Sequence, residues 1–378
     1  MYSRLLTPPD QSFFLFGPRG TGKTAWLRET FPSAIHLDLL DGPTFARLVA
    51  APGVLEQWIP PKYKGWVVLD EIQRIPELLN EVHRLIESRR LRFALTGSSA
   101  RALRRRGVNL LAGRALTRSM HPLTATELGG DFDLRRALQH GTLPFACTTR
   151  TPEDYLAGYT ATYLREEVQQ EGMTRNLAGF GRFLGAASFS QASVLSMAGV
   201  SRECGVGAKT VEGYFSILED LLIAIRLPVF ARRAKRRLTS HPKFYYFDAG
   251  VYRALRPRGP LDSDDEIRGA TLETLVLQHL RAWNDYAQLG FALHYWRTRT
   301  GKEVGFVLYG ARGLVAIEVK CATRVTPKDL ESLRLFMAEY PMARAFLLHL
   351  GPRSWHESGV EVLSAAEALV SLPEILAR

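Results

Sequence analysis

The sequence predicts an α/β protein: an open, mostly parallel sheet in the first 150 residues, a helical middle, and a second α/β module. Three observations predict it. Short apolar runs alternate with helical patterns over residues 1–150. From Thr151 to about Arg226 the pattern is almost wholly helical. From roughly residue 240 strand-sized apolar runs return. The chain has 378 residues, 46% of them hydrophobic and 23% charged, which suits two or three domains with cores of their own and excludes disorder, collagen and coiled coil.

In order along the chain, Phe13–Phe16, Ile35–Leu39, Trp66–Leu69 and Arg92–Leu95 are predicted as buried strands, each followed by a turn or helix signal. Between the last two, Glu77–Glu87 places Leu78, Leu79, Val82, Leu85 and Ile86 at helical spacing. Residues 194–218 read as helix-turn-helix: a short helix Val200–Cys204, a turn Gly205–Gly207, and a second helix Ala208–Leu218. In that second helix Lys209, Thr210, Glu212 and Gly213 face outward, and Val211, Phe215 and Leu218 face inward. Strands are predicted again at Lys243–Phe247, Leu293–Trp296, Glu303–Leu308, Leu314–Glu318 and Ala345–His349. The expected modules are 1–150, 151–235 and 236–378.

Lys and Arg number 49 against 38 Asp and Glu, a net charge of +11, which favours polyanionic partners such as DNA. The excess is concentrated. Arg232, Arg233, Lys235, Arg236 and Arg237 fall within six positions, and Arg101, Arg104, Arg105 and Arg106 form a second cluster. The three cysteines, Cys147, Cys204 and Cys321, are far apart, with no C-x-x-C pair. That excludes a disulfide framework or a cysteine-rich zinc site and suits a reducing compartment. Apolar runs are far shorter than the ~20 residues of a spanning helix, and the first residues lack a secretory pattern. A cytoplasmic protein without membrane partners is expected.

The strongest motif is Gly17-Pro18-Arg19-Gly20-Thr21-Gly22-Lys23-Thr24, which fits G-x-x-x-x-G-K-[ST] at every position. A strand precedes it and a helix-compatible run follows. Glycines let successive backbone N–H groups converge on phosphate oxygens, Lys23 reaches the β- and γ-phosphates, and the Thr24 hydroxyl completes a Mg²⁺ shell. Val67-Val68-Leu69-Asp70-Glu71 is an apolar strand ending in two acids: Asp70 for the metal, Glu71 to orient and polarise attacking water. Ser98 or Thr96, at the end of the next strand, is placed to sense the γ-phosphate. Arg114 is the candidate arginine that would stabilise transition-state charge in a neighbouring subunit. ATP and Mg²⁺ are the expected ligands.

Gly17–Thr24, VVLDEIQRIPELLNEVHRLIE (67–87), the segments LTGSSARAL and NLLAGRAL within 95–116, YLREEV (163–168), YFSILEDLLIAIRLPVF (214–230), KFYYFDAG (243–250) and EVGFVLYGARGLVAIEVK (303–320) together resemble a family of bacterial and archaeal AAA-type ATPases that carry a C-terminal domain of unknown function. The resemblance spans nearly the whole chain. It implies an AAA-like P-loop ATPase domain, a helical lid with a winged-helix-like middle, and a restriction-endonuclease-like C-terminal domain. A homo-oligomer is also expected, with a hexamer as one candidate.

Seen as a nuclease core, the C-terminal module offers Glu273 on a helix (Leu272–Trp283) and Glu318-Val319-Lys320 as the E-x-K half of a PD-(D/E)xK site. The first acid should stand in the 303–308 strand, where this chain has Gly305, and Glu303 is not expected to replace it. The expected result is a degenerate module that binds DNA without cutting it. The functional expectation is an ATP-hydrolysing, DNA-binding oligomer acting on branched or structured DNA, with Lys209 and the 232–237 run as nucleic-acid contacts. The alternatives are an ATP-dependent nuclease and an ATP-controlled switch whose C-terminal domain binds a protein.

Overall fold

The structure, a computed structural model of the chain, describes residues 2–98, 111–164, 168–169, 176–231, 241–260 and 262–377. They form two compact units: residues 3–121 with 220–222, and residues 122–219 with 223–378.

The first unit is built on five strands: β1 (Phe13–Phe16), β2 (Ile35–Asp38), β3 (Trp66–Asp70), β4 (Arg92–Gly97) and β5 (Leu116–Ser119), in the order β2-β3-β4-β1-β5. All four pairings are parallel. The expected strands therefore appear, with β3 and β4 running on to include Asp70 and Gly97. Both faces of this sheet are apolar, as a parallel sheet requires. Phe14, Phe16, Leu69, Phe93 and Leu95 pack with Leu78, Leu79, Val82 and Leu85 of the helix Leu78–Arg89. Each fully buried side chain of this kind contributes roughly 1.5–3 kcal/mol. Phe13 meets Trp26, Phe31 and Trp66 edge-on or tilted. From β1 the chain passes through the helix Lys23–Thr30 to the edge strand β2 and then returns. This leaves β3, β4 and β1 side by side with their carboxyl ends on one edge, where open α/β sheets bind ligands.

The second unit holds two sheets. A three-stranded antiparallel sheet joins β6 (Ser193–Val194), β7 (Ala224–Leu227) and β8 (Lys243–Tyr246) in the order β6-β8-β7. Strands from either side of residue 235 thus share one sheet, and the expected edge near 150 falls within this unit. Two helices, Met197–Cys204 and Ala208–Asp220, lie between β6 and β7, joined at Gly205 in the left-handed region. The six-stranded mixed sheet runs β13-β14-β12-β11-β10-β9, with β9 (Ala292–Arg297), β10 (Glu303–Gly310), β11 (Gly313–Lys320), β12 (Arg344–His349), β13 (Trp355–Glu357) and β14 (Val360–Ser364). Leu272, Leu275, Val276 and Leu280 of the long helix Asp264–Tyr286 pack with Phe306, Leu308, Val315 and Ile317. On the other core, Leu333 and Phe336 of the helix Glu331–Glu339 pack with Trp296, Val304, Val307 and Ala316. The register shifts between Val304 and Val307 where β10 pairs with β9, so this strand is irregular there. Among the described residues no helix is long and apolar enough to cross a membrane.

Candidate functional site

The loop Gly17–Thr24 connects the end of β1 to the helix beginning at Lys23. Its backbone needs glycine twice over. Gly22 caps the helix at φ 90°, a left-handed conformation that side chains disfavour. A Cβ on Gly17 would fall 2.4 Å from the Met120 carbonyl oxygen, so the loop can lie this close to the end of β5 only without one. Thr21 closes the turn, its hydroxyl donating to the Pro18 carbonyl at 2.8 Å. Lys23 is buried, and its ammonium donates to the carbonyls of Gly17 at 2.7 Å and Pro18 at 3.2 Å.

Asp70 ends β3 and is 7% exposed. Two hydroxyls converge on it. Thr24 donates to Oδ2 at 2.6 Å, and Thr96, at the end of β4, donates to Oδ1. Thr96 also accepts the Glu71 N–H at 3.0 Å. Loop, β3 and β4 are therefore tied at one carboxylate. Glu71 adopts φ 62°, a left-handed backbone unusual for a residue with a side chain, directly after the strand. Its carboxylate accepts from the side-chain amide of Gln73, and that amide nitrogen lies 3.3 Å from Ser98 Oγ. Ser98 is 3% exposed. Arg114 is half-exposed and ion-paired through Nε to Glu87 of the same chain. Arg101, Arg104, Arg105 and Arg106 lie outside the described residues.

In the second unit, Lys209, Thr210, Glu212 and Gly213 are exposed, and Val211, Phe215 and Leu218 are buried, on the helix after the Gly205–Gly207 turn. The run Arg232, Arg233, Lys235, Arg236 and Arg237 lies outside the described residues. The chain enters that run from beside β9, where Phe230 N donates to the Tyr295 carbonyl and Tyr295 N donates to Pro228 at 3.0 Å.

Glu273, Gly305, Glu318 and Lys320 come to one neighbourhood. Glu318 is buried on β11. Its Oε2 accepts the Gly305 N–H at 2.9 Å, and its Oε1 pairs with Lys320 at 2.7 Å. Burial pushes the Glu318 carboxyl up, with Lys320 opposing and Glu273 adding to the rise. Burial alone would lower the Lys320 ammonium, yet Glu318 holds it above the usual lysine value. Glu273 does not bond to Glu318. It accepts the Tyr245 hydroxyl at 2.9 Å and faces Lys243 at 3.3 Å, and Lys243 also meets Glu303 at 2.5 Å. Burial again works against the Lys243 charge, and Glu273 and Glu303 outweigh it, so this ammonium sits well above the ordinary range.

Sequence reasoning missed Gln73, Lys243, Tyr245 and the place of Glu303. A lysine opening the otherwise apolar run Phe244-Tyr245-Tyr246-Phe247 was the available signal, because a charged residue in a buried strand needs partners.

Comparison with known proteins bears on all three parts of the chain. Residues 9–129 match the family model described as AAA domain, residues 131–262 match a Domain of unknown function (DUF8612), and residues 268–368 match a Domain of unknown function (DUF4143). No curated protein matches the chain. Among solved structures the chain is similar to protein VC1899 from Vibrio cholerae, at 14% identity over 91% of this chain and 97% of that one, with a TM-score of 0.23, which says nothing of fold or function. The AAA match covers the loop, β3 and β4 together, so the residues gathered around Asp70 all fall within the stretch that matches the AAA domain model.

Proposed function

We propose that this protein binds and hydrolyses ATP with Mg²⁺ at the carboxyl ends of β1, β3 and β4, and couples that cycle to DNA. One observation carries the ATP reading: the hydroxyls of Thr24 and Thr96 meet on the Asp70 carboxylate, beside a glycine-built loop and the buried Lys23. The residues fit a nucleoside triphosphate and a hard divalent cation, because Thr24 and Asp70 present oxygen donors and the loop keeps side chains out. Lys23 would exchange the Gly17 and Pro18 carbonyls for β- and γ-phosphate oxygens, and N–H groups at the start of its helix would add anion-binding donors. Mg²⁺ supplies charge neutralisation across the phosphates. Glu71 would orient and polarise the attacking water. Thr96 is already engaged by Asp70 and the Glu71 backbone, which leaves Ser98 as the γ-phosphate sensor. Arg114 would leave Glu87 to serve a neighbouring subunit in a homo-oligomer.

Turnover measured with and without single-stranded, duplex and four-way-junction DNA tests this reading. Hydrolysis stimulated by one of these DNAs is expected, and absence of hydrolysis under every condition would end it.

The DNA half rests on the +11 net charge, the exposed Lys209 on a helix-turn-helix, and five cations between β7 and β8, where a winged-helix-like module carries its wing. Neutralising Arg232, Arg233, Lys235, Arg236 and Arg237 should reduce the slope of log K against log salt by about 0.9 per lost phosphate contact. An unchanged slope would assign the run to plain solvated surface.

A further inference from the structure

The resemblance to a nuclease core implies a divalent cation among Glu273, the 305 position, Glu318 and Lys320. The donor set does not fit one. Position 305 is glycine and brings no carboxylate. Both oxygens of Glu318 are taken, one by Lys320 and one by the Gly305 N–H. Glu273 and Glu303 converge instead on Lys243, a side chain only 2% exposed, at 3.3 and 2.5 Å. The same oxygen of Glu273 also accepts the Tyr245 hydroxyl, and Glu303 has Arg297 at 3.6 Å on its other oxygen. Three carboxylates thus face three fixed cations: Lys243, Lys320 and Arg297. A hard cation that needs six or more oxygen ligands, several of them anionic, finds every carboxylate here already occupied. Among the described residues no three His, Cys, Asp or Glu side chains converge as a metal site.

We propose that Lys243 is the resident cation of this cluster, an ammonium fixed in the chain that does the charge neutralisation a divalent metal would do, so that the C-terminal module is metal-independent. The chemistry of burial favours this arrangement. Two acids placed beside a buried position by a helix and a strand are costly unless a cation accompanies them. Lys243 enters from β8, Glu273 from the helix Asp264–Tyr286 and Glu303 from β10. The ammonium therefore ties the small sheet to the large one as well as balancing charge. This inference stands apart from the ATP reading, which concerns the first unit.

Mn²⁺ binding to the nucleotide-free full chain tests it. Wild type and Glu273→Gln should bind Mn²⁺ identically, because Glu273 ligates none. Lys243→Ala should gain one equivalent and a Mn²⁺-dependent rise in Tm, and Lys243→Ala with Glu273→Gln should lose both. Loss of a Mn²⁺ site in Glu273→Gln alone would overturn the proposal, as would a folded Lys243→Ala protein that gains no metal. If Lys243→Ala folds only when Mn²⁺ is present, that rescue is the expected result in its strongest form. If it does not fold at all, the comparison of wild type with Glu273→Gln decides.

Discussion

Gln73 and Glu71 are joined side chain to side chain, the amide of the first donating to the carboxylate of the second. The link matters because Glu71 leaves β3 through a left-handed backbone and has no strand neighbour to fix its side chain. Gln73 supplies that fixation and stands between Glu71 and Ser98, so the residues proposed as water-orienting acid and phosphate sensor share one amide. Gly97 is part of the arrangement: a Cβ there would meet the Gln73 side-chain oxygen at 2.8 Å.

Gln73→Ala should therefore lower kcat for ATP by about tenfold to a hundredfold, the scale of effect expected when a catalytic group is misplaced by about an ångström. KM for ATP should change little, because Lys23 and Thr24 are untouched. Steady-state kinetics decide the matter. A rise in KM at constant kcat would make Gln73 a binding residue instead.

Lys23→Ala and Glu71→Gln should separate binding from hydrolysis. The first deletes the cation proposed to meet the phosphates, and nucleotide binding should be lost. The second keeps Asp70, Thr24 and Thr96 in place, so ATP should stay bound while turnover stops. Fluorescent-nucleotide binding and phosphate release, run side by side, give both readouts. Hydrolysis at the wild-type rate by Glu71→Gln would remove Glu71 from its role.

How much of this was readable in the sequence follows the range of each interaction. The loop Gly17–Thr24 was legible because its strand, glycines and helix are contiguous, and Asp70-Glu71 because an apolar strand ending in acids is a local pattern. The bond from Thr96 to Asp70 crosses 26 residues and exists only because β3 and β4 are parallel neighbours, which no local pattern states. Lys243 finds partners 30 and 60 residues away, and the register shift in β10 belongs to its pairing with β9. The outward and inward residues of helix Ala208–Asp220 were legible, since helical periodicity alone fixes them.

The fully buried His279 gives a pH dependence with a definite sign. Its Nε2 accepts the Ala125 N–H at 2.8 Å and its Nδ1 meets the Leu275 carbonyl at 2.8 Å, an arrangement that requires the neutral ring. Burial lowers its pKa to about 4. The unfolded chain therefore binds a proton near pH 6.5 that the folded chain refuses until about pH 4. The neutral ring's contribution is present above 6.5 and is lost progressively as pH falls to 4, by roughly 3 kcal/mol in all. Asp248 works the other way, because burial raises it to about 6, so its stabilising protonation on folding grows as pH falls from 6. The isolating comparison is wild type against His279→Gln by urea denaturation at pH 7, 5.5 and 4.5. The variant's stability should improve relative to wild type at each step down, and a constant difference would mean that His279 does not titrate differently in the two states.

Gly305→Asp distinguishes a missing ligand from a replaced metal. A Cβ at Gly305 would have ordinary contacts, 3.7 Å from the Ile317 carbonyl oxygen and 3.9 Å from Glu318 Oε2, so the substitution is sterically allowed. Its carboxylate would enter beside Glu318, whose own carboxyl is already pushed up by burial. With Lys243 still neutralising Glu273 and Glu303, the new acid adds an unbalanced charge, and a loss of about 1–3 kcal/mol at pH 7 is expected from a poorly compensated buried polar group. Protonation relieves that repulsion, so the deficit relative to wild type should shrink as pH falls from 7 towards 4, the sign for an acid whose folded pKa is raised. Incubation of linear, circular and junction DNA in Mg²⁺ should show no cleavage by Gly305→Asp. Cutting by this single variant would mean that restoring one carboxylate is enough to seat a metal, and that Lys243 does not hold its place.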